Sequence, residues 1–159
     1  MIKSDYIILT ALILLTACQS GTTEKTMAPD SPDTALIRKT GADPYGMRKY
    51  IFCYLKKGPN RKQDSATAAR LQQGHMENIG KLAEAGKLIL AGPFLDTGEI
   101  RGIFIFNCKT LEEARALTQT DPAVQAGRLT MELHEWYGSA ALMMVNEQHN
   151  KLESKKITD

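Results

Sequence analysis

Apolar and polar positions between residues 47 and 138 follow two different periods. The run Tyr50–Leu55 is aromatic and β-branched and stops at a Gly-Pro pair, which predicts a strand followed by a turn. Between Asp64 and Gly86, apolar residues recur at steps of three and four, which is the period of a helix. Asp64 can cap the first turn of that helix and Gly86 can end it, so the sequence predicts a long helix after the first strand.

The following residues predict two more strands, a helix opened by a capping box, one further helical turn and a last strand. These elements lie at Leu88–Ala91, Arg101–Phe106, Thr110–Leu117, Asp121–Gly127 and Arg128–Tyr137. The order strand, helix, strand, strand, helix, strand is typical of a ferredoxin-like α+β sandwich, βαββαβ, with helices on one face of a four-stranded antiparallel sheet. The other sheet face would be left uncovered, which predicts a homodimer through the sheet faces.

The first eighteen residues have the pattern of an export signal. A positive start at Lys3 precedes the apolar run Tyr6–Leu15, which is about ten residues long, against the roughly twenty that a membrane-spanning helix needs. Leu15–Cys18 resembles the lipobox of bacterial lipoproteins, so we expect residues 1–17 to be removed and Cys18 to carry lipid. An ordinary cleavable signal with a chance cysteine is the alternative.

Lipid on the new amino terminus would anchor the chain in the cell envelope. Gln19, directly after the cysteine, favours the outer membrane, facing the periplasm. Residues 18–46 are rich in Thr, Ser, Pro, Gly, Asp and Lys and predict a flexible tether. Residues 139–159, after the domain at 47–138, predict a short helix at Ala140–Val145 and then a polar, frayed tail.

Composition narrows the range of partners and cofactors. The chain of 159 residues has a formal net charge of +2, which gives no strong field for nucleic acid, so no nucleic-acid partner is expected. His75, His134 and His149 are far apart in sequence and no cysteines have metal-ligand spacing, so no metal site is predicted.

Two cysteines remain beyond Cys18, and both lie in or beside apolar, strand-like runs. Cys53 is in the middle of the first strand, and Cys108 follows the end of the third strand, which is its antiparallel neighbour in a ferredoxin-like sheet. The offset of about four residues corresponds to roughly 13 Å along the strands, whereas a disulfide tolerates up to about 7 Å between Cα atoms. We therefore expect both thiols to stay unpaired.

Three segments together resemble the YciI-like (YCII-related) domain family: Gly74–Leu82, Gly86–Pro93 and Asp121–Gly127. In that family a helix carries a histidine, a strand ends in Ala-Gly-Pro, and an Asp-Pro-x-x-x-Ala-Gly segment precedes the last strand. The resemblance covers about residues 47–138 and implies a dimeric α/β barrel, in which two ferredoxin-like sheets pack face to face and leave a cleft in each subunit. Glu135 departs from the family, since many relatives have proline there.

The resemblance implies that His75 and Asp121 form a catalytic pair. An imidazole can take and return a proton, and a carboxylate on its other nitrogen fixes the tautomer and supports the charged form. No cofactor is needed for such chemistry on a small molecule, whether isomerase or lyase in type; one relative removes chloride from a chlorinated hydroquinone. His75 also lies on the apolar stripe of its helix and could be a core histidine, and Asp121 could be a helix cap alone.

The predicted cleft has further candidate lining residues. Gly92 and Pro93 end a strand and could form a cleft wall, although a simple turn explains them as well. Glu132, His134 and Trp136 share one face of the last strand, where they could line the cleft or lie on an exposed edge. The sequence leaves open whether the protein is a cofactor-independent enzyme or a non-catalytic small-molecule-binding or structural dimer of the cell envelope.

Overall fold

A computed structural model describes residues 31–155 of the chain, so the predicted signal peptide and Cys18 lie outside the described residues. The elements, in chain order, are α1 (Thr34–Thr40), β1 (Met47–Lys57), α2 (Ser65–Glu84), β2 (Leu88–Pro93), β3 (Ile100–Phe106), α3 (Leu111–Thr118), α4 (Pro122–Gln125), β4 (Leu129–Ser139), a 3₁₀ helix (Ala140–Met144) and α5 (Val145–Leu152). Among the helices of residues 31–155, none combines the length and hydropathy that crossing a bilayer requires.

The four strands form one antiparallel sheet in the order β2-β3-β1-β4. Strand β1 lies in the centre, with Cys53 opposite Phe104 of β3 on one side and opposite Leu133 of β4 on the other. This order and these directions are those of the ferredoxin-like sandwich, so the predicted α+β fold class is confirmed.

The main core lies between the sheet and helices α2 and α3. Alternate residues of β1 point to this side and pack on phenylalanines of β3 and on the inner faces of the helices. The buried members are Ile51, Cys53, Leu55, Leu82, Leu88, Phe104, Phe106, Cys108 and Ala114. Burial of these apolar side chains is the main force that holds the two layers together.

Helix starts and ends follow the local signals of the sequence. The Asp64 side chain accepts a hydrogen bond from the Thr67 backbone N–H at 2.8 Å and caps α2. Bonds from the Thr67 N–H and hydroxyl hold the pKa of Asp64 below its usual range. Thr110 caps α3 by accepting from the Glu113 N–H at 3.1 Å. Gly86 follows α2 with φ +65°, a conformation that glycine adopts without strain.

The second face of the sheet is partly covered, whereas the sequence predicted it to be left for a partner. Leu142 and Met143 of the 3₁₀ helix pack against a smaller buried cluster formed by Tyr50, Ile89 and Ile105. The rest of the predicted polar tail also differs from the prediction, because α5 continues as helix to Leu152.

The segment predicted as a tether contains helix α1. Asp33 caps it by accepting from two backbone N–H groups at 2.9 Å, and Gly41 ends it with φ +67°. Tertiary contacts explain why the short helix forms: Thr40 is 2% exposed, and its carbonyl accepts from Arg48 Nη1 at 2.6 Å. Lys39 Nζ also lies 2.5 Å from Glu147 of α5. The two segments that flank the sheet are thus joined to each other.

Candidate functional site

The structure brings together the two residues predicted to form a catalytic pair. His75 Nδ1, from the middle of α2, lies 2.5 Å from Oδ2 of Asp121, which precedes α4. Both are buried, with 8% of His75 and 1% of Asp121 exposed. The other carboxylate oxygen, Oδ1, accepts from the Ala123 backbone N–H at 2.8 Å and caps α4. Asp121 therefore caps α4 and contacts His75 at the same time, since each interaction uses a different oxygen.

The surroundings of His75 leave one ring nitrogen free. The imidazole stacks on Phe104 of β3, with ring centroids 5.9 Å apart and an interplanar angle of 18°. Because a carboxylate oxygen accepts at Nδ1, we assign the proton to that nitrogen. Nε2 of the neutral ring then carries the lone pair, and within residues 31–155 it has no hydrogen-bond partner. The pair is thus arranged so that Nε2 can act as a base.

A second group of polar and aromatic residues lies on the opposite face of the sheet. His134 Nε2 and Lys56 Nζ each lie 3.0 Å from the Glu132 carboxylate. The hydrogen bond from Lys56, and next that from His134, hold the pKa of Glu132 below its usual range. Phe52, Tyr54, His134 and Trp136 line a shallow concavity of about 270 Å³.

The sheet separates the two groups. In β1, the alternate residues Ile51 and Cys53 point to the helix side where His75 lies, whereas Phe52 points to the other face. Residues directly paired across strands share a face, and Phe52 is opposite His134. The predicted cleft residues Glu132, His134 and Trp136 are therefore not brought to the His75–Asp121 pair of the same protomer.

Gly92 and Pro93 form the end of β2, at the edge of the sheet. They pair with Ile103 and Gly102 of β3, next to Phe104, on which His75 stacks. A Cβ added to Gly102 would lie 2.6 Å from the Gly92 carbonyl oxygen, so the two strands approach closely at this point.

Comparison with known proteins decides the family. The model of the YCII-related domain matches residues 47–136, which is more than half of the chain. The chain belongs to the YCII-related domain family. An uncharacterized protein of Bacillus subtilis (strain 168), YjpA, is 34% identical over 64 residues, which span 40% of this chain and 72% of that protein.

Among solved structures, the YCII-related chain is similar to a 5-chloro-2-hydroxyhydroquinone dehydrochlorinase from Burkholderia phenoliruptrix AC1100, solved in complex with 2,5-dihydroxybenzoquinone. The sequence identity is 18%, the TM-score is 0.39, and the match covers 54% of this chain and 92% of that chain. Nothing about activity follows from a structural similarity of this extent.

Sequence reasoning did not assign a role to Asn78 of the YCII-related domain. It lies on α2 one turn after His75, is 8% exposed, and its side-chain amide lies 2.9 Å from Thr120 Oγ1, next to Asp121. The sequence does show a polar residue at this position on the apolar stripe of α2. It does not show the partner, Thr120, because that residue is 42 positions away. A polar contact thus accompanies the His75–Asp121 bond along the same helix face.

A second concavity of the YCII-related domain lies between α3, α4 and β4. Its volume is about 310 Å³, and its lining includes Arg115, Val124, Leu129 and Met131 but neither member of the His75–Asp121 pair. Within residues 31–155, no group of three or more His, Cys, Asp or Glu side chains is placed to hold a metal ion.

Proposed function

We propose that this YCII-related protein is a cofactor-independent acid–base enzyme that acts on a small molecule through His75 and Asp121. The observation that supports this function is the buried 2.5 Å bond between His75 Nδ1 and Asp121 Oδ2, with Nε2 left unpaired among the described residues. A histidine whose first nitrogen is held by a carboxylate is arranged as a general base at the second nitrogen.

The chemistry is a proton transfer next to a carbonyl or phenol. Nε2 of neutral His75 takes a proton from a C–H or O–H group, and the Asp121 carboxylate stabilises the imidazolium that forms. In an isomerisation, Nε2 returns the proton to another atom of the same substrate. In an elimination, the electron pair of the broken C–H bond forms a new double bond while a leaving group such as chloride departs with its own pair. Positioned proton transfer of this kind typically contributes about 10²- to 10⁴-fold in rate.

Asp121 is suited to a fixed role because its position is constrained. Its second oxygen is held by the Ala123 N–H, so the carboxylate cannot rotate away from His75 without removing the cap of α4. The bond orients the imidazole before a substrate arrives, which avoids reorganisation during the reaction.

A non-catalytic small-molecule-binding dimer is the second candidate function. The concavity on the other sheet face favours it, because Phe52, Tyr54 and Trp136 give aromatic walls without a part in the His75–Asp121 pair. In this concavity the ring centroids of Phe52 and Trp136 lie 5.9 Å apart, and Trp136 is 37% exposed, so its ring is accessible to a ligand. We propose that the uncovered part of this face also meets a second copy of the chain.

Solvent deuterium exchange into a panel of small ketones and phenols tests proton transfer without a known product. We expect the wild-type protein to catalyse exchange into at least one of them, and His75→Gln to lower that rate by about 10²- to 10⁴-fold. Asp121→Asn should lower it as well while α4 stays capped, since asparagine is as good an N-cap as aspartate.

His149→Gln, at an exposed position of α5, is the matched control and should leave the exchange rate unchanged. Wild-type protein that binds panel members by NMR but exchanges none of their protons would exclude the enzyme and support the binding dimer. Exchange that survives His75→Gln would exclude His75 as the base.

We also propose that the protein is anchored by lipid on Cys18 in the cell envelope, at the outer membrane facing the periplasm. The support is the sequence Leu15–Cys18 and Gln19. Cys18→Ser should abolish palmitate labelling and move the protein out of the membrane fraction or leave its precursor unprocessed. Processed Cys18→Ser protein that still sediments with membranes would contradict the anchor.

A further inference from the structure

Helix α2 contacts the segment around Asp121 at three points along one face. Gly74 contacts Pro122, His75 contacts Asp121, and Asn78 contacts Thr120. The two segments therefore run in opposite directions where they meet. The His75–Asp121 bond is the middle contact of the three.

The contact between Asn78 and Thr120 is a hydrogen bond between side chains. The Thr120 hydroxyl donates to Asn78 Oδ1, with 2.9 Å between the two oxygens. The same hydroxyl lies 2.7 Å from the Leu117 carbonyl oxygen, so its one proton is shared between two acceptors. Thr120 is thereby held between the end of α3 and the side chain of Asn78.

The contact between Gly74 and Pro122 is steric. A Cβ atom built on Gly74 would lie 3.0 Å from Pro122 Cγ and 3.4 Å from Pro122 Cβ. The proline ring therefore sits against the bare backbone of α2, and a methyl group there would require Pro122 to shift by a few tenths of an ångström.

The segment that carries Asp121 depends on such contacts. Helix α4 spans four residues, Pro122–Gln125, and a single turn is too short to be stable by itself. The Asp121 N–H donates to the Thr118 carbonyl over a long 3.3 Å. The Asp121 carbonyl accepts from the Val124 and Gln125 N–H groups at 3.1 and 3.0 Å, and the contacts with α2 add to these local bonds.

We infer that Asn78 and Gly74 are positioning residues that set the distance between Asp121 and His75. Asn78 holds Thr120 on one side of Asp121, and the absent side chain of Gly74 admits Pro122 on the other. Any link to turnover rests on the proposed function, whereas the effect on the His75–Asp121 bond does not.

The His75 Nδ1–H proton gives a direct measure of the bond. A proton in a short bond between imidazole and carboxylate resonates far downfield of the amide protons, and the ¹⁵N shifts of the ring report its tautomer. Asp121→Asn should abolish this downfield signal and thereby assign it. Thr120→Val and Asn78→Ala should shift the signal upfield or broaden it beyond detection, whereas Thr120→Ser keeps the hydroxyl and should retain it.

Two glycines of α2 provide a matched pair. Gly74→Ala and Gly80→Ala bring the same gain in helix propensity, but a Cβ on Gly80 meets no atom within 4 Å. We expect Gly80→Ala to leave the downfield signal unchanged and Gly74→Ala to shift it upfield. Both variants should be folded by circular dichroism, so that a change in the signal reports the pair and not the fold.

An unchanged Nδ1–H signal in Thr120→Val, Asn78→Ala and Gly74→Ala would overturn the inference. If the protein catalyses the proposed proton transfer, the rate of deuterium exchange should fall in the same variants that shift or lose the signal. A displacement of Asp121 near 1 Å would lower this rate by up to about 10²-fold. If the signal responds as expected while wild-type protein exchanges no substrate proton, the positioning role stands and the proposed activity fails.

Discussion

Asp121 shows at the residue scale why a structural and a functional explanation need not compete. A carboxylate has two oxygens, and here Oδ1 accepts from the Ala123 N–H while Oδ2 meets His75. Loss of the cap alone would cost about 1 kcal/mol of stability. The substitution Asp121→Asn keeps that cap, so a comparison of stability and exchange rate can separate the two roles.

Cys53 and Cys108 are expected to be unreactive in the folded protein. Burial raises the pKa of Cys53 to about 12 and that of Cys108 to about 11. Because the thiolate is the nucleophile, almost none of either side chain is reactive near neutral pH. Iodoacetamide at pH 7.5 should leave both thiols free in native protein and modify both after unfolding in guanidinium, as counted by mass spectrometry.

The sheet register also keeps these thiols apart. Cys53 pairs with Phe104, and Cys108 lies four residues beyond that partner, which corresponds to roughly 13 Å along a strand. Unreduced protein should therefore contain no disulfide between them. A Cys53–Cys108 bridge found in unreduced peptides would contradict the β1–β3 register.

At the scale of elements, the sequence predicted the central sheet and its helices because each has its own local signal. Caps at Asp64, Thr110 and Asp121 and the apolar periods between them lie where the structure begins its helices. Helix α1 has no such period over its seven residues. It forms through contacts with Arg48 and α5, which depend on the folded chain and cannot be read locally.

In the candidate site, too, some features have a local sequence signal and others depend on tertiary packing. The family pattern predicted that His75 and Asp121 act together, and alternation in β4 predicted that Glu132, His134 and Trp136 share a face. Which face the helices cover depends on the packing of all four strands, so the separation of these two groups required the structure.

Gly138 is expected to be needed for the position of Trp136 on β4. A Cβ atom at Gly138 would lie 2.3 Å from the Trp136 ring, so Gly138→Ala must displace that ring. We expect a loss of about 1–3 kcal/mol in the free energy of unfolding, as is typical of overpacking. Since Trp136 is the single tryptophan of the chain, its fluorescence should report the displacement directly.

Gly92→Ala is the matched control in the same sheet, because its Cβ meets no atom within 4 Å. Its emission spectrum should equal that of the wild type, and urea denaturation should separate the two variants. Equal spectra and equal stability for Gly138→Ala and the wild type would contradict the close contact.

At the scale of the whole molecule, the part of the second sheet face left open predicts a dimer. The terminal helices cover Tyr50, Ile89 and Ile105 and leave the aromatic strip around Phe52 and Tyr54. Light scattering at micromolar concentration should give twice the protomer mass. Tyr54→Lys should give monomer, because two like charges would meet across the interface.

Glu112→Lys, on the exposed side of α3, changes charge on the helix layer and should leave the dimer intact. A monomer mass for the wild-type protein would contradict the predicted dimer, and the aromatic strip would then be open to solvent.

The pairing of β1 with the last strand has a consequence for when the chain can fold. Met47 is opposite Ser139 and Lys57 is opposite Leu129, so the central strand lacks one neighbour until nearly the whole domain has been synthesised. Contacts between residues so distant in sequence slow folding, because the loop must close before the strands pair. A chain that enters an export channel amino end first would therefore remain unfolded until β4 has passed through.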